Sequence, residues 1–242
     1  MQIQNSALSR LFRWRFQKPY HGKSLVRLGT SYGGWWVPNF SPETLPTGSI
    51  LVSAGLGGDV SFDNEMLSRG FICIGLDPLK EAVEYSKSEL ANYSRFFPIN
   101  CGLSDVQGLI NFYAPRISEH DSWSVNNMHN TDPSLSQSFE VVTIRDLEQM
   151  FPALKQATYR ILKMDIEGGE IPVLKQIIDE EIRFDYLAVE LDFLSLIPFI
   201  SLSKRLRHIF IVWQIMSDLE ALGYTLCKTE NFNFCWSLEE VK

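Results

Sequence analysis

No basic surplus marks this chain. Its 22 lysines and arginines stand against 29 acidic residues, leaving a net charge of −7, whereas a nucleic-acid binder shows a basic footprint. Cysteine is scarce: Cys73, Cys101, Cys227 and Cys235 form no CxxC and have no His/Cys ligand spacing. No metal site is therefore expected, and free buried thiols in a reducing compartment are. Long hydrophobic runs are also missing. The most apolar stretch, residues 193–202 (FLSLIPFISL), is far short of a membrane span and is broken by Pro198. The N-terminus lacks the apolar core of a secretory signal. These absences lead us to expect a cytoplasmic protein without nucleic-acid or membrane partners. There is no internal repeat and no low-complexity tract.

What is present is ample apolar material, 45% of residues with 12% aromatic, enough for one large core and too much for a disordered chain. Residues 1–48 are basic and aromatic at first, with Arg10, Arg13, Arg15, Lys18 and Lys23, then rich in Gly, Pro, Ser and Thr around Tyr32-Gly33-Gly34-Trp35-Trp36. So many aromatics suit an N-terminal arm rather than a linker, either packed in the core, covering a site or forming a homodimer contact. Residues 49–242 then alternate short apolar runs with helical periodicity. SILVSA, FICIGLD, YRILKM and FDYLAVEL each read as a strand buried on both faces. Segments near 96–101, 109–113 and 139–144 read as further strands. YTLCKT and FNFCWSL suit an antiparallel hairpin across Glu230 and Asn231. The whole predicts an α/β fold: a mostly parallel, doubly wound sheet with an antiparallel C-terminal edge.

Two segments carry chemistry. In SILVSAGLGGDVSF (49–62) a strand runs into Gly55-Leu56-Gly57-Gly58 and then a helix, so backbone can approach a ligand where helix N–H groups lie unpaired. Asp77, about twenty residues on at the end of the next strand, is placed to accept hydrogen bonds from ribose hydroxyls, or to cap the helix after Pro78. A GxGxxG turn would need glycine at position 60, where Val60 stands, which counts against a pyrophosphate binder. In YRILKMDIEGGE (159–170) an apolar strand ends in Asp165, Glu167 and Glu170, at the end of an α/β strand where ligands sit. Asp165 can serve the acceptor, the cofactor or a helix cap; Glu170 in a first helical turn suits the helix dipole. Glu190 and Asp192 end the following strand and face the same rim. The polar stretch 114–137, with His120 and His129, reads as a long functional loop.

Taken in order over about residues 49–236, these segments resemble the FkbM-type S-adenosylmethionine (SAM) dependent methyltransferases. Lys163-Met164-Asp165-Ile166-Glu167-Gly168-Gly169-Glu170 matches that family's K-x-D-I-E-G-x-E pattern throughout. The turn at 53–59 departs from it, with Ser53 and Gly57 where the family has an acid and an Asn. The resemblance implies a Rossmann-like class I fold, SAM as cofactor and a small-molecule acceptor, with a hydroxyl on a sugar or other metabolite as the group methylated. It implies cofactor binding by Ser53, Gly55, Gly57, Asp77, Ser104, Asp105 and Asp165. Asp165, Glu167 and His129 are the candidates for orienting the acceptor or taking its proton. A nucleotide-dependent oxidoreductase and a catalytically silent SAM-fold module remain open at this level.

Overall fold

A computed structural model describes residues 7–115, 122–127, 131–191, 194 and 202–238. The arm forms helix α1 (Ala7–Phe16) and a hairpin of β1 (Leu25–Leu28) and β2 (Trp35–Pro38). Then follow β3 (Ile50–Ala54), α2 (Ser61–Ser68), β4 (Ile72–Leu76), α3 (Lys80–Glu89) and β5 (Phe96–Ile99). Next come three strands, β6 (Gly102–Leu103), β7 (Gly108–Phe112) and β8 (Gln137–Val142), before α4 (Ile144–Met150) and α5 (Pro152–Gln156). The chain ends with β9 (Arg160–Met164), α6 (Glu170–Asp179), β10 (Tyr186–Glu190), α7 (Leu202–Ala221), β11 (Tyr224–Glu230) and β12 (Asn233–Leu238).

The main sheet has seven strands in the order β11-β12-β10-β9-β3-β4-β5. Its five inner and right-hand strands are parallel, while β12 pairs antiparallel with β10 and with β11. Both faces are covered, so strand residues alternate between two cores rather than between core and water. Val52, Ala54, Leu162, Met164, Leu187 and Val189 face α4 to α7 and the buried side of α1. Leu51, Ile161, Tyr186 and Ala188 face α2, the segment after α3 and the β1–β2 hairpin. In α6 the stripe Val173, Leu174 and Ile177 is fully buried, worth ~1.5–3 kcal/mol per side chain. Helix α4 starts at a reciprocal cap: Thr143 Oγ1 accepts from Asp146 N at 3.1 Å, and Asp146 Oδ2 accepts from Thr143 N at 2.9 Å.

Two expectations need correction. The segments near 109 and 139 do not extend the main sheet; as β7 and β8 they join β6 in a separate three-stranded sheet. Helix α3 begins at Lys80 with Leu79 as its N-cap, so Asp77 is not that cap. The arm packs into the core, where Phe12, Phe16, Trp35, Val37 and Phe40 bury against the body, although Trp14 and Tyr32 stay exposed. All four cysteines are buried and free. Among the described residues no helix is long and apolar enough to cross a membrane.

Candidate active site

The chain leaves β3 toward β4 and β5, and later returns to the other flank of β3 as β9, so strand order reverses between β3 and β9. A crevice at the carboxyl ends of such a pair is where α/β sheets hold ligands. Here the two ends are pressed together. Gly55 has φ +82°, and a Cβ there would lie 1.8 Å from the Asp165 carbonyl oxygen, so only glycine fits. Asp165 N donates to Ala54 O at 3.1 Å, and Gly55 N donates to Leu76 O at 2.9 Å.

Asp77 locks the glycine turn to the end of β4. Its Oδ2 accepts from Leu56 N at 3.0 Å and Gly57 N at 3.1 Å, and its Oδ1 from Leu79 N at 2.8 Å. Burial raises its pKa, with those N–H groups opposing. A carboxylate offers about four lone-pair positions, so roughly one is left for a ligand hydroxyl. Beneath the turn, the buried Lys163 ammonium donates to Gly55 O and, at 3.4 Å, to Ala54 O. Its charge also opposes the burial that raises Asp63 on α2. Ser53 is fully buried with its hydroxyl toward Asp63.

The DIEGGE segment splits into roles. Glu170 is fully buried and closes the turn, accepting from Ile166 N at 3.0 Å and from Gly168 N at 3.1 Å. Burial, aided by the Asp165 charge, pushes its pKa up to about 8. Glu167 sits at φ +53°, a backbone region that non-glycine residues seldom occupy. Asn126 Nδ2 donates to Gly168 O at 2.8 Å and ties the long loop to this turn.

Around these groups lie two cavities. The larger, about 670 Å³, is walled by the glycine turn, Asp77, Lys163, Asp165, Glu167 and Glu190. Its outer walls come from the arm (Arg27, Tyr32, Trp35) and from the edge hairpin (Glu230, Asn231, Asn233). Arg27 Nε bonds Glu230 Oε2 at 3.0 Å, joining those two walls, while Arg27 Nη2 holds Ser31 O at 3.2 Å. Glu190 is pushed up to about 8 by burial and by the charges of Asp165 and Glu167, with Lys163 opposing. The smaller cavity, about 50 Å³, shares Gly55, Asp77, Asp165 and Glu167, and its remaining walls include Pro78, Leu79, Leu103, Phe112 and Trp123.

Of the residues singled out from sequence, the fold brings Gly55, Gly57, Asp77, Asp165 and Glu167 together. Ser53 lines neither cavity; nor do Ser104 and Asp105, which hydrogen-bond each other at 3.2 Å. Their neighbours Gly102 and Leu103 line the apolar cavity instead. His120, His129 and Asp192 lie outside the described residues. Arg27, Glu230, Asn231 and Asn233 were not singled out as site residues, because each is ordinary in its own segment. Among the described residues no group of three His, Cys, Asp or Glu could hold a metal ion.

Strand order, the glycine turn and the acid ending β4 define a Rossmann-like class I methyltransferase fold. The model of the methyltransferase FkbM domain matches residues 58–224, and the chain belongs to that family, whose cofactor is SAM. No curated protein matches. Among solved structures, a TehB-like SAM-dependent methyltransferase from Corynebacterium glutamicum is 12% identical with a TM-score of 0.37, covering 84% of this chain and 90% of that one. The fibrillarin pre-rRNA processing protein of Methanococcus jannaschii is 10% identical with a TM-score of 0.42, covering 92% of this chain and 85% of that one.

The cavities suit that cofactor in kind. An apolar-lined space opens beside Asp77, the glycine turn admits close backbone approach, and carboxylates line the larger cavity, offering negative charge to a cationic group.

Proposed function

We propose that this enzyme methylates a hydroxyl oxygen on a sugar or other small metabolite bound in the larger cavity. The observation that carries this reading is that cavity's polar wall: Asp165, Glu167, Glu190, Asn231 and Asn233 offer hydrogen-bonding partners to a hydroxyl-rich molecule beside the glycine turn. When bound, SAM supplies an electrophilic methyl group on a cationic sulfur. The chain's own groups do the rest. Gly55 and Gly57 let backbone approach the amino-acid end of the cofactor, and Asp77 offers its remaining lone pair to a ribose hydroxyl. The side chains of Pro78, Leu79, Leu103 and Trp123 enclose the base. Asp165 and Glu167 orient the acceptor hydroxyl and lower the cost of losing its proton as the new bond forms. The arm and edge hairpin exclude water over the acceptor side, with Arg27 and Glu230 holding them together.

The test is calorimetric titration with SAM, S-adenosylhomocysteine and NAD, followed by an acceptor screen read as methyl transfer from labelled SAM. Micromolar binding of both sulfur ligands, weakened by ten-fold or more in Asp77→Asn with the thermal melt retained, is expected. Transfer to hydroxylated acceptors and not to their deoxy analogues should follow. Binding of NAD alone would defeat the cofactor assignment of this cavity, and transfer only to nitrogen acceptors would defeat the oxygen preference.

A further inference from the structure

Lys163 sits where packing alone would put an apolar side chain. On β9 it falls in the same layer as Ile161, on the face covered by α2 and the arm, and it is only 6% exposed. In register it lies between Ser53 of β3 and Ala188 of β10. Its ammonium nevertheless reaches the wall of the larger cavity. It donates to the carbonyl oxygens of Gly55 and Ala54 and lies 5.5 Å from the centre of the Trp35 ring. Gly55 and Trp35 both line that cavity, as does Lys163 itself. Two acceptors engage two of the three N–H groups of the ammonium, and among the described residues the third has none. Asp63, buried on α2, acts on Lys163 as a charge through space rather than through a hydrogen bond.

The wall around this ammonium carries both signs. Asp165 follows two residues later on the same strand, and Glu190 ends the neighbouring β10; both line the cavity. Arg27 stands on the outer wall, where its guanidinium holds Glu230 and the carbonyls of Thr30 and Ser31. A cation set against the glycine turn with carboxylates beside it matches a zwitterion. The amino-acid end of SAM is one, and a wall of carboxylates alone would repel its α-carboxylate.

Resting on the reading of this cavity as the SAM site, we propose that Lys163 binds the α-carboxylate of the cofactor through its third N–H group, while the acidic side of the wall faces the α-ammonium. A charge-assisted bond of this kind is among the stronger polar contacts a poorly solvated site can make. The carbonyl of Gly55 already holds the lysine, so one side chain ties the glycine turn to the ligand. It also sets the cofactor's direction, with the amino-acid end at Lys163 and the base toward Leu79 and Leu103 beyond Asp77.

The carboxylate can be removed from the ligand as well as the cation from the protein. S-adenosylhomocysteine and its decarboxylated analogue, which keeps the adenosine, the thioether and the amine, are titrated calorimetrically into the wild type, Lys163→Gln and Lys163→Arg, with a thermal melt of each protein. The wild type is expected to prefer S-adenosylhomocysteine by roughly ten-fold or more, the scale of one hydrogen bond to a charged group. Lys163→Gln should erase that preference by weakening S-adenosylhomocysteine while binding the analogue as the wild type does. Lys163→Arg keeps a cation and should keep most of the preference. Equal affinity of the wild type for the two ligands would overturn the proposal, and that comparison needs no variant to fold. Equal weakening of both ligands in Lys163→Gln would overturn it too, since Lys163 would then only support the glycine turn. Failure of both ligands to bind the wild type is a different result, which would remove the cofactor assignment of the cavity itself.

Discussion

Gly55→Ala should be strongly damaging for a change of one methyl group. Two costs apply. The residue sits at φ +82°, where a side chain adds ~1–2 kcal/mol. The new Cβ would also meet the Asp165 carbonyl oxygen at 1.8 Å, and that oxygen belongs to backbone, so the ends of β3 and β9 must part. Forcing a methyl into such a contact costs ~1–3 kcal/mol, which brings the expected loss to about 2–5 kcal/mol. For a chain of this size that is a fall in Tm of roughly 4–20 °C. Gly48→Ala is the matched control: its φ is +81°, but the nearest atom to the added Cβ is Thr158 Oγ1 at 4.0 Å. It carries the backbone strain without the clash and should cost ~1–2 kcal/mol. Urea unfolding followed by far-UV circular dichroism measures both. SAM binding should be lost in Gly55→Ala and kept in Gly48→Ala. Equal destabilisation by the two changes would show that the strand ends do not press together, and the account of the crevice would fall with it.

Two further outcomes are expected. Glu170 has an ordinary pKa of 4.5 that burial raises to about 8, so its ionisation opposes folding. The sign follows: this group's contribution is most favourable below pH 4.5 and is lost as pH rises toward 8. Glu170→Gln should flatten that part of the stability profile, and thermal melts between pH 5 and 9 that run parallel for the two proteins would contradict it. Tyr224 Oη donates to Phe184 O at 2.8 Å and accepts from Phe184 N at 3.0 Å within the core. Tyr224→Phe leaves both backbone groups without that partner and should cost ~1–3 kcal/mol in urea unfolding, with SAM binding unchanged. A loss within error of zero would mean that water or another group replaces the hydroxyl.

Much of the fold is legible because its signals are local. The buried strands at β3, β4, β9 and β10 show as continuous apolar runs, since a parallel strand covered on both faces has no polar side to alternate with. The hairpin of β11 and β12 shows as two runs around a short polar turn. Strand membership of the short segments is less legible. Gly102 and Leu103 are too short a pair to show as a strand, and their place in a sheet depends on Val141 and Val142, far along the chain.

The candidate site divides in the same way. Sequence by itself determined the glycine turn, the acid twenty residues after it and the DIEGGE strand end, because these depend on backbone geometry and spacing within single βα units. It also carried the family pattern across residues 163–170. Tertiary structure alone decided what each group does there. Ser53 lies one residue inside a strand and faces Asp63 within the core. Asp77 spends three of its lone pairs on the glycine turn, and Arg27 reaches Glu230 from 203 residues away. The shift at Glu190 has the same origin: it arises because β10 lies beside β9 and brings like charges together in a poorly solvated wall. Coulomb interactions and burial act through space, and no local run of residues records which charges the fold will set side by side.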